Sequence, residues 1–317
     1  EVPGTTVDRQ CGSSLQAIQF GAQAVMSGTQ DVIISGGVEA MSTVEIGSNI
    51  KDGLANGRGI PKGERLETQY PGIQFSQFDG AELLAEKYDI SRDDLDSFGL
   101  LSHQRATEAT ENGYFKQEIV PINIKLQDGS ADIHDVDEGI RSGATLEAMQ
   151  SLNVLREGGV ITAGTASQIS DGAAAIMIAN EDAVKKYDLP VRAKIHSLAV
   201  VGSDPVIMLE GPIPATQKVL EKAGLNIDDI DLYEVNEAFG SVPLAWAKAL
   251  NADLDKLNVN GGAQALGHPL GGTGAKLMTT LVHELERRDA RYGLIAICEG
   301  GGTANAMIVE RMNEVEA

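Results

Sequence analysis

Cysteine is nearly absent from this 317-residue chain, which has two, Cys11 and Cys298. Two thiols near opposite ends make no disulfide scaffold, and neither belongs to a CxxC pair or a zinc-ribbon spacing. No metal site is therefore expected. Two free thiols fit a reducing compartment, so the expected location is cytoplasmic. Basic residues are scarce too: 25 Lys and Arg face 46 Asp and Glu, for a formal net charge of -21. That balance favours solubility and disfavours nonspecific nucleic-acid binding. It leaves room for an anionic ligand, held by a local group of bases or by helix N-termini. No apolar run approaches the roughly 20 residues of a membrane span. No secretory leader is visible, and the chain opens abruptly inside a motif-like segment, so N-terminal targeting stays open.

What is present is enough apolar material for a sizeable core, 42% of residues. The length suits two core units, or one with a large insertion. Residues 12–27 read as an amphipathic helix with Leu15, Ile18, Ala22 and Val25 on one stripe. The next segment, DVIISGG, reads as a short buried strand of Val32, Ile33 and Ile34, stopped by Gly36 and Gly37. From residue 42 to 150 the character changes. NIKDGLANGRGIPKGERLETQYPG reads as loop, two helical stretches follow, and EIVPINIKL reads as a strand. Ser91, followed by Asp93 and Asp94, predicts a helix cap with an acidic first turn.

Core material returns at TAGTASQISDGAAAIMIA and continues through VRAKIHSLAVVG. GPIPATQKVLEKAGL is a helix with Pro214 near its start and Gly224 just past its end. DLYEV, the polar turn NEAFG and another helix follow. Near the end, a helix with Leu277, Leu281 and Leu285 on one face leads into YGLIAICEGGG, with TANAMIVER as its hairpin partner. Both ends of the chain thus show a helix feeding a buried strand that runs into glycines. That echo fits two related α/β units whose strand ends face one another.

Four segments carry groups able to do chemistry. Cys11 precedes a helix, whose N-terminus lowers a thiol pKa. From spacing alone a nucleophile, a buried filler and a redox or metal role all stay open. Cys298 ends a strand before Glu299 and three glycines, a turn suited to a backbone oxyanion hole. His268 lies in the glycine-rich GGAQALGHPLGG and can take a proton from a thiol. Asn236 and Glu237 follow a strand end. An amide there can hold a water or an oxyanion, whereas Glu237 can equally cap the following helix. Of the other histidines, His103 and His283 read as surface, His134 as solvated in an acidic stretch, and His196 as a neighbour of the site.

In order along the chain, DRQCGSSLQAIQFGAQAVMSG, TAGTASQISDGAAA, EVNEAFG, NVNGGAQALGHPLGGTGAK and CEGGGTANAMIVE resemble the thiolase family. The resemblance implies a five-layered α/β/α/β/α fold of two similar domains. The first spans 1–186, with a loop domain inserted at about 45–150, and the second spans 187–317. It also implies CoA-dependent cleavage of a 3-oxoacyl-CoA to acetyl-CoA and a shortened acyl-CoA. By the same resemblance Cys11 is expected to carry the acyl group, His268 to activate it and Cys298 to be the second acid/base. Asn236, through a water, and His268 form one oxyanion hole. The N–H groups of Cys11 and Gly300 form the other. Ser197 and Phe239 are implied to lie near the pantetheine and acyl group; in so acidic a chain the CoA phosphates are expected to meet a local patch of bases, for which Arg141, with Lys51 and neighbouring bases, are the candidates. No permanent cofactor is implied, coenzyme A being a co-substrate, and a homodimer or homotetramer is expected.

Two departures from the family pattern stand out. Gln77, Phe78 and Asp79 replace a Met-Gly wall of the acyl pocket, which disfavours an acetoacetyl-only preference and hints at bulky acyl or steroid side chains in β-oxidation. Thr165 stands where Asn is common. The chain also begins almost at its nucleophile; lacking roughly the first 80 residues of a family member, the first domain is expected to expose unpaired strand edges. The alternatives are an acetoacetyl-CoA thiolase and a non-catalytic CoA-binding relative.

Overall fold

A computed structural model describes residues 2–312. The chain runs α1 (Ser13–Met26), β1 (Val32–Ala40), α2 (Ser48–Ala55), α3 (Glu64–Gln69), α4 (Gln77–Lys87) and α5 (Arg92–Glu111). It continues through β2 (Ile122–Lys125), β3 (Ala131–His134), α6 (Leu146–Gln150), β4 (Asp171–Ala179) and α7 (Glu181–Tyr187). The second half holds β5 (Ala193–Gly202), α8 (Pro212–Ala223), β6 (Leu232–Val235), α9 (Ser241–Leu250) and α10 (Ala263–Leu266). It closes with α11 (Thr273–Arg287), β7 (Tyr292–Glu299) and β8 (Thr303–Arg311).

Two sheets sandwich a central pair of helices. β1 and β4 pair antiparallel, and β5-β8-β7-β6 form a mixed sheet in which β6 and β7 run parallel. α1 and α11 pack on each other between the sheets, while α8 covers the far face of β5 and β8. The central helices approach closely at Gly274, where an added Cβ would lie 2.3 Å from the Leu15 nitrogen. Only a glycine admits that approach. Ser14 Oγ there accepts the Ala275 N–H at 2.9 Å. The apolar stripes work as their periodicity predicts: Leu15, Ile18 and Ala22 of α1, and Leu277, Leu281 and Leu285 of α11, are buried. β7 is buried over Gly293–Glu299, as expected of a central strand that reads as a continuous apolar run. The same unit occurs at both ends of the chain: α1 leads to β1 and its antiparallel partner β4, and α11 leads to β7 and its antiparallel partner β8.

Local signals set several boundaries. Ser91 and Asp94 form a full capping box at α5. α8 starts at Pro212 and ends on Gly224, which takes φ 68°, a left-handed conformation that suits glycine.

The structure corrects two of the readings. β1 does not stop at Gly36 but runs on to Ala40, with Ile34 and Val38 exposed. Gly36 and Gly37 are there because neighbours press on them. A Cβ at Gly36 would meet the Ala174 carbonyl at 2.5 Å, and one at Gly37 the Gly271 carbonyl at 2.0 Å. The segment read as loop between 49 and 72 contains α2 and α3. Neither buries a residue, so neither carries the apolar stripe that periodicity detects. Among the described residues the first sheet has two strands, so each keeps one unpaired edge.

Candidate active site

Cys11 sits in a 3₁₀ turn, Gln10–Gly12, that runs directly into α1. Gln10 takes φ 47°, uncommon for a residue with a side chain. The tight turn is held by Gln10 N–H to Asp8 Oδ1 at 3.0 Å, Arg9 N–H to Ser13 Oγ at 2.8 Å and Ser13 Oγ–H to the Gln10 carbonyl at 2.7 Å. It packs against the end of β7 and against a second 3₁₀ turn, Leu270–Gly272. From β8, Asn305 Nδ2 donates to the Gly12 carbonyl at 3.1 Å.

Cys298 is the penultimate residue of β7, opposite Ala304 of β8. The hairpin between them is Gly300–Gly302, and Gly301 and Gly302 take φ 85° and 75°. Both cysteines are free and buried. The charge that Cys11 can carry is felt at Cys298, where it adds to burial in pushing the thiol well above its ordinary pKa.

His268 lies between α10 and α11. Its ring is buried, with Nδ1 2.6 Å from Thr273 Oγ1. Thr273 spends its hydroxyl hydrogen on the Pro269 carbonyl at 2.9 Å, so it accepts from Nδ1–H and leaves Nε2 unprotonated, an acceptor for Asn236. That Nε2 meets Asn236 Nδ2 at 3.3 Å, and Asn236 Oδ1 is buried without a partner. Burial, with Lys276 nearby, lowers the imidazole pKa to about 3.

The loop carrying Asn236 is built into the fold. Its backbone N–H continues the β6–β7 pairing onto the Ala296 carbonyl at 3.1 Å. Ser167 N–H donates to the Ala238 carbonyl and Gly240 N–H to the Thr165 carbonyl, at 3.0 and 2.8 Å. Thr165 is thus a buried support for this loop. Glu237 does not cap α9. It accepts from Ser102 Oγ at 2.8 Å, Asn258 Nδ2 at 2.9 Å and Gln264 N–H at 3.1 Å. It thereby ties the Asn236 loop to the segment that leads to His268.

One expectation about Cys11 is overturned. The helix N-terminus does not lower its pKa; burial first, then Glu299, raise it to about 12. The helix end supplies a partial charge, whereas the loss of solvent acts on the whole thiolate. The resting pair is a neutral thiol and a neutral imidazole.

Ser197 lies on β5 opposite Ile308, four positions from the row that holds Ala304, the partner of Cys298. That is about 13 Å along the strand. Its hydroxyl donates to the Val219 carbonyl at 3.2 Å. Phe239 is buried, and its ring meets Phe78 edge-on at 5.3 Å. Arg156 stacks over Phe78 and pairs with Asp79 at 3.1 Å. Gln77, Phe78 and Asp79 open α4, and Phe78 stays partly exposed there. Arg141 is exposed, while Lys51 pairs with Glu45 and Lys62 with Glu67.

Among the remaining histidines, His103 is buried rather than on the surface and accepts the Arg141 N–H at 3.2 Å through Nδ1. Its polar-looking helix hides one face against the Glu237 network. His283 is half-buried and reaches the Thr279 carbonyl and Arg192. His196 packs on Tyr292 and pairs with Glu310, and His134 ends β3.

Sequence reading missed Thr273, which fixes the His268 tautomer, Asn305, which holds Gly12, and Glu39, which accepts the Gly271 N–H at 2.8 Å. It also gave Arg9 and Glu299 no partner, although they pair at 2.6 Å. Thr273, five residues from His268, was within reach of local inspection. The others act across more than 200 positions and leave no local signal.

Family models for the thiolase N-terminal domain and the thiolase C-terminal domain match residues 1–182 and 189–311. The chain is 53% identical over 314 residues to a steroid 3-ketoacyl-CoA thiolase, FadA6, of Mycobacterium tuberculosis, covering 98% of this chain and 76% of that protein. It is 42% identical to human mitochondrial 3-ketoacyl-CoA thiolase (98% and 79% covered). It is 40% identical to an acetyl-CoA acetyltransferase of Pseudomonas aeruginosa (98% and 80%). The crystal structure of the human mitochondrial enzyme matches with a TM-score of 0.86 at 41% identity, over 98% of this chain and 79% of that one.

Proposed function

Since the chain belongs to the thiolase family, we propose that Cys11, His268, Cys298 and Asn236 carry out the CoA-dependent cleavage of a 3-oxoacyl-CoA in β-oxidation. The protein is an acyltransferase of thiolase fold. The observation that supports the site most directly is the meeting of four distant segments. The Asn236 loop touches His268, the Cys11 turn packs on the turn that follows His268, and both thiols are buried beside the end of β7.

His268 Nε2 takes the Cys11 proton as Sγ attacks the 3-oxo carbon. The new imidazolium N–H, with a water held by Asn236, is placed for the thioester oxygen of the enolate that forms next. The C2–C3 bond then breaks. The acyl group stays on Cys11 as a thioester, and the departing enolate takes the Cys298 proton to leave as acetyl-CoA. The Cys298 thiolate removes the proton of an incoming CoA thiol, which attacks the acyl-enzyme. The second oxyanion forms at the N–H groups of Cys11 and Gly300. Its collapse releases the shortened acyl-CoA, and His268 returns its proton to Cys11. A nucleophile held neutral at rest and ionised only against a bound carbonyl avoids storing a buried charge.

Ser197 and Phe239 are assigned to the pantetheine and acyl group, and Arg141 to the CoA phosphates. Gln77, Phe78 and Asp79 in place of the family's Met-Gly wall, with Phe78 against Phe239, support a preference not confined to acetoacetyl. The division into domains at 186/187, with the excursion at 45–150, belongs to this reading, as do self-association and a cytoplasmic setting. Among the described residues no helix is long and apolar enough to cross a membrane.

Exposure to a 3-oxoacyl-CoA without free CoA is expected to leave an acyl group on the Cys11 peptide, read by mass spectrometry. Cys11→Ala is expected to lower thiolysis by about 10⁴-fold or more. An unlabelled Cys11 together with an active Cys11→Ala variant would overturn the assignment. kcat/KM across acyl lengths separates the reading from an acetoacetyl-CoA thiolase, and CoA binding without turnover would point to the non-catalytic alternative.

A further inference from the structure

The mechanism leaves one buried charge beside the nucleophile unused. Glu299 follows Cys298 and precedes Gly300, and its side chain is fully buried at the end of β7. Its Oε2 accepts from Arg9 Nε at 2.6 Å and from Thr303 Oγ1 at 2.5 Å. Its Oε1 is buried with no partner and lies against Gly12, where an added Cβ would be 2.0 Å away. Arg9 and Gly12 bracket Cys11. The carboxylate therefore touches the chain on both sides of the nucleophile, and its residue stands in sequence between the second cysteine and Gly300. Gly12 is required here by contact, since any side chain would displace the carboxylate. Asn305, from the facing strand, holds the Gly12 carbonyl as well.

We propose that Glu299 is a positioning residue for thiolysis, whose carboxylate latches the turn bearing Cys11 to the hairpin bearing Cys298 and Gly300. It thereby sets the spacing between the Cys11 and Gly300 N–H groups. The inference rests on the assignment of those two N–H groups to the second oxyanion. Two amides on segments some 290 residues apart share no secondary structure that fixes their separation, and oxyanion donors must be aligned before charge develops. Burial pushes the Glu299 carboxyl above its ordinary pKa, while Thr303 and the Arg9 cation, both donating to Oε2, pull it back toward the carboxylate. A fixed negative charge at this place also disfavours ionisation of Cys11 at rest.

The test uses the purified full chain and measures kcat, both KM values, and the rate of Cys11 alkylation by iodoacetamide against pH. Glu299→Ala is expected to lower kcat by about 100-fold, the size of a lost oxyanion donor, with KM within about threefold. Glu299→Gln keeps the shape and is expected to lose less, about tenfold in kcat. In both variants the alkylation profile is expected to move to lower pH, because a negative neighbour has gone. A purely structural latch would leave that profile in place. Should Glu299→Ala fail to fold, Glu299→Gln and Arg9→Gln decide the matter, the second with a kcat loss of about tenfold. A kcat within about threefold of wild type in the variants that fold, a loss carried by KM alone, or an unmoved profile in Glu299→Gln would each overturn the proposal. Failure of the site assignment is distinguishable, because Cys11→Ala would then keep its thiolysis while the Glu299 variants could still differ.

Discussion

Replacing Glu237 should cost more stability than replacing almost any other polar residue, and the structure says why. Its two oxygens accept three hydrogen bonds in a site closed to solvent: Oε1 from Asn258, and Oε2 from Ser102 and from the Gln264 N–H. Glu237→Ala strands two committed donors. The Gln264 N–H loses its acceptor. The Asn258 amide cannot turn, because its Oδ1 accepts from Val235 N–H and its Nδ2 also donates to the Val235 carbonyl, both at 2.9 Å. Each stranded donor costs about 1–3 kcal/mol, and the space vacated beside Gly262 adds to that. Relief of the buried charge offsets part, for a net loss of about 3–5 kcal/mol. Glu237→Gln keeps an oxygen for Ser102 and Gln264 but turns an N–H₂ toward Asn258. It should lose one bond, about 1–2 kcal/mol. In urea the midpoint of Glu237→Ala is expected to fall by about 1–2 M. Because Gln264 leads to His268, kcat should fall with it. A Glu237→Ala midpoint indistinguishable from wild type, or a Gln variant less stable than the Ala variant, would refute the accounting.

Three further outcomes follow from the structure. A thiol with a pKa raised to about 12 rather than the ordinary 9 is thiolate about 1,000-fold less often at neutral pH. Alkylation of Cys11 in the free enzyme should be correspondingly slow and rise about tenfold per pH unit through pH 9–11, whereas a plateau near pH 7 would show a preformed thiolate. Since the folded state holds this proton longer than the unfolded chain, its contribution to stability is full below pH 9 and is lost as pH rises toward about 12. Gly37→Ala would set a Cβ 2.0 Å from the Gly271 carbonyl, a backbone atom in the turn after His268. A loss of about 1–3 kcal/mol is expected, read by thermal unfolding, together with a lower kcat; a fully active variant of wild-type stability would show that the turn gives way freely.

Much of this protein is legible along the chain because local rules act locally. The stripes of α1 and α11 set which faces are buried. Ser91 with Asp93 and Asp94, Pro214 near the start of α8 and Gly224 past its end mark helix ends, since they satisfy or remove backbone groups within a turn. The ordered set of Cys11, the NEAFG turn, His268 and Cys298 with its glycines is legible as a resemblance to the thiolase family, which the family models bear out; spacing alone leaves the role of Cys11 open. Tertiary structure decides the rest. Glycines 36 and 37 look like a stop, and only the facing β4 and the Gly271 turn show them to be contact points inside a continuing strand. His103 looks exposed until α5 is packed. The state of Cys11 is the clearest case. Its helix position argues for a lowered pKa, and the folded surroundings reverse the sign. A helix end is encoded in a few residues, whereas desolvation and the Glu299 charge arrive from segments that meet only when the chain has folded.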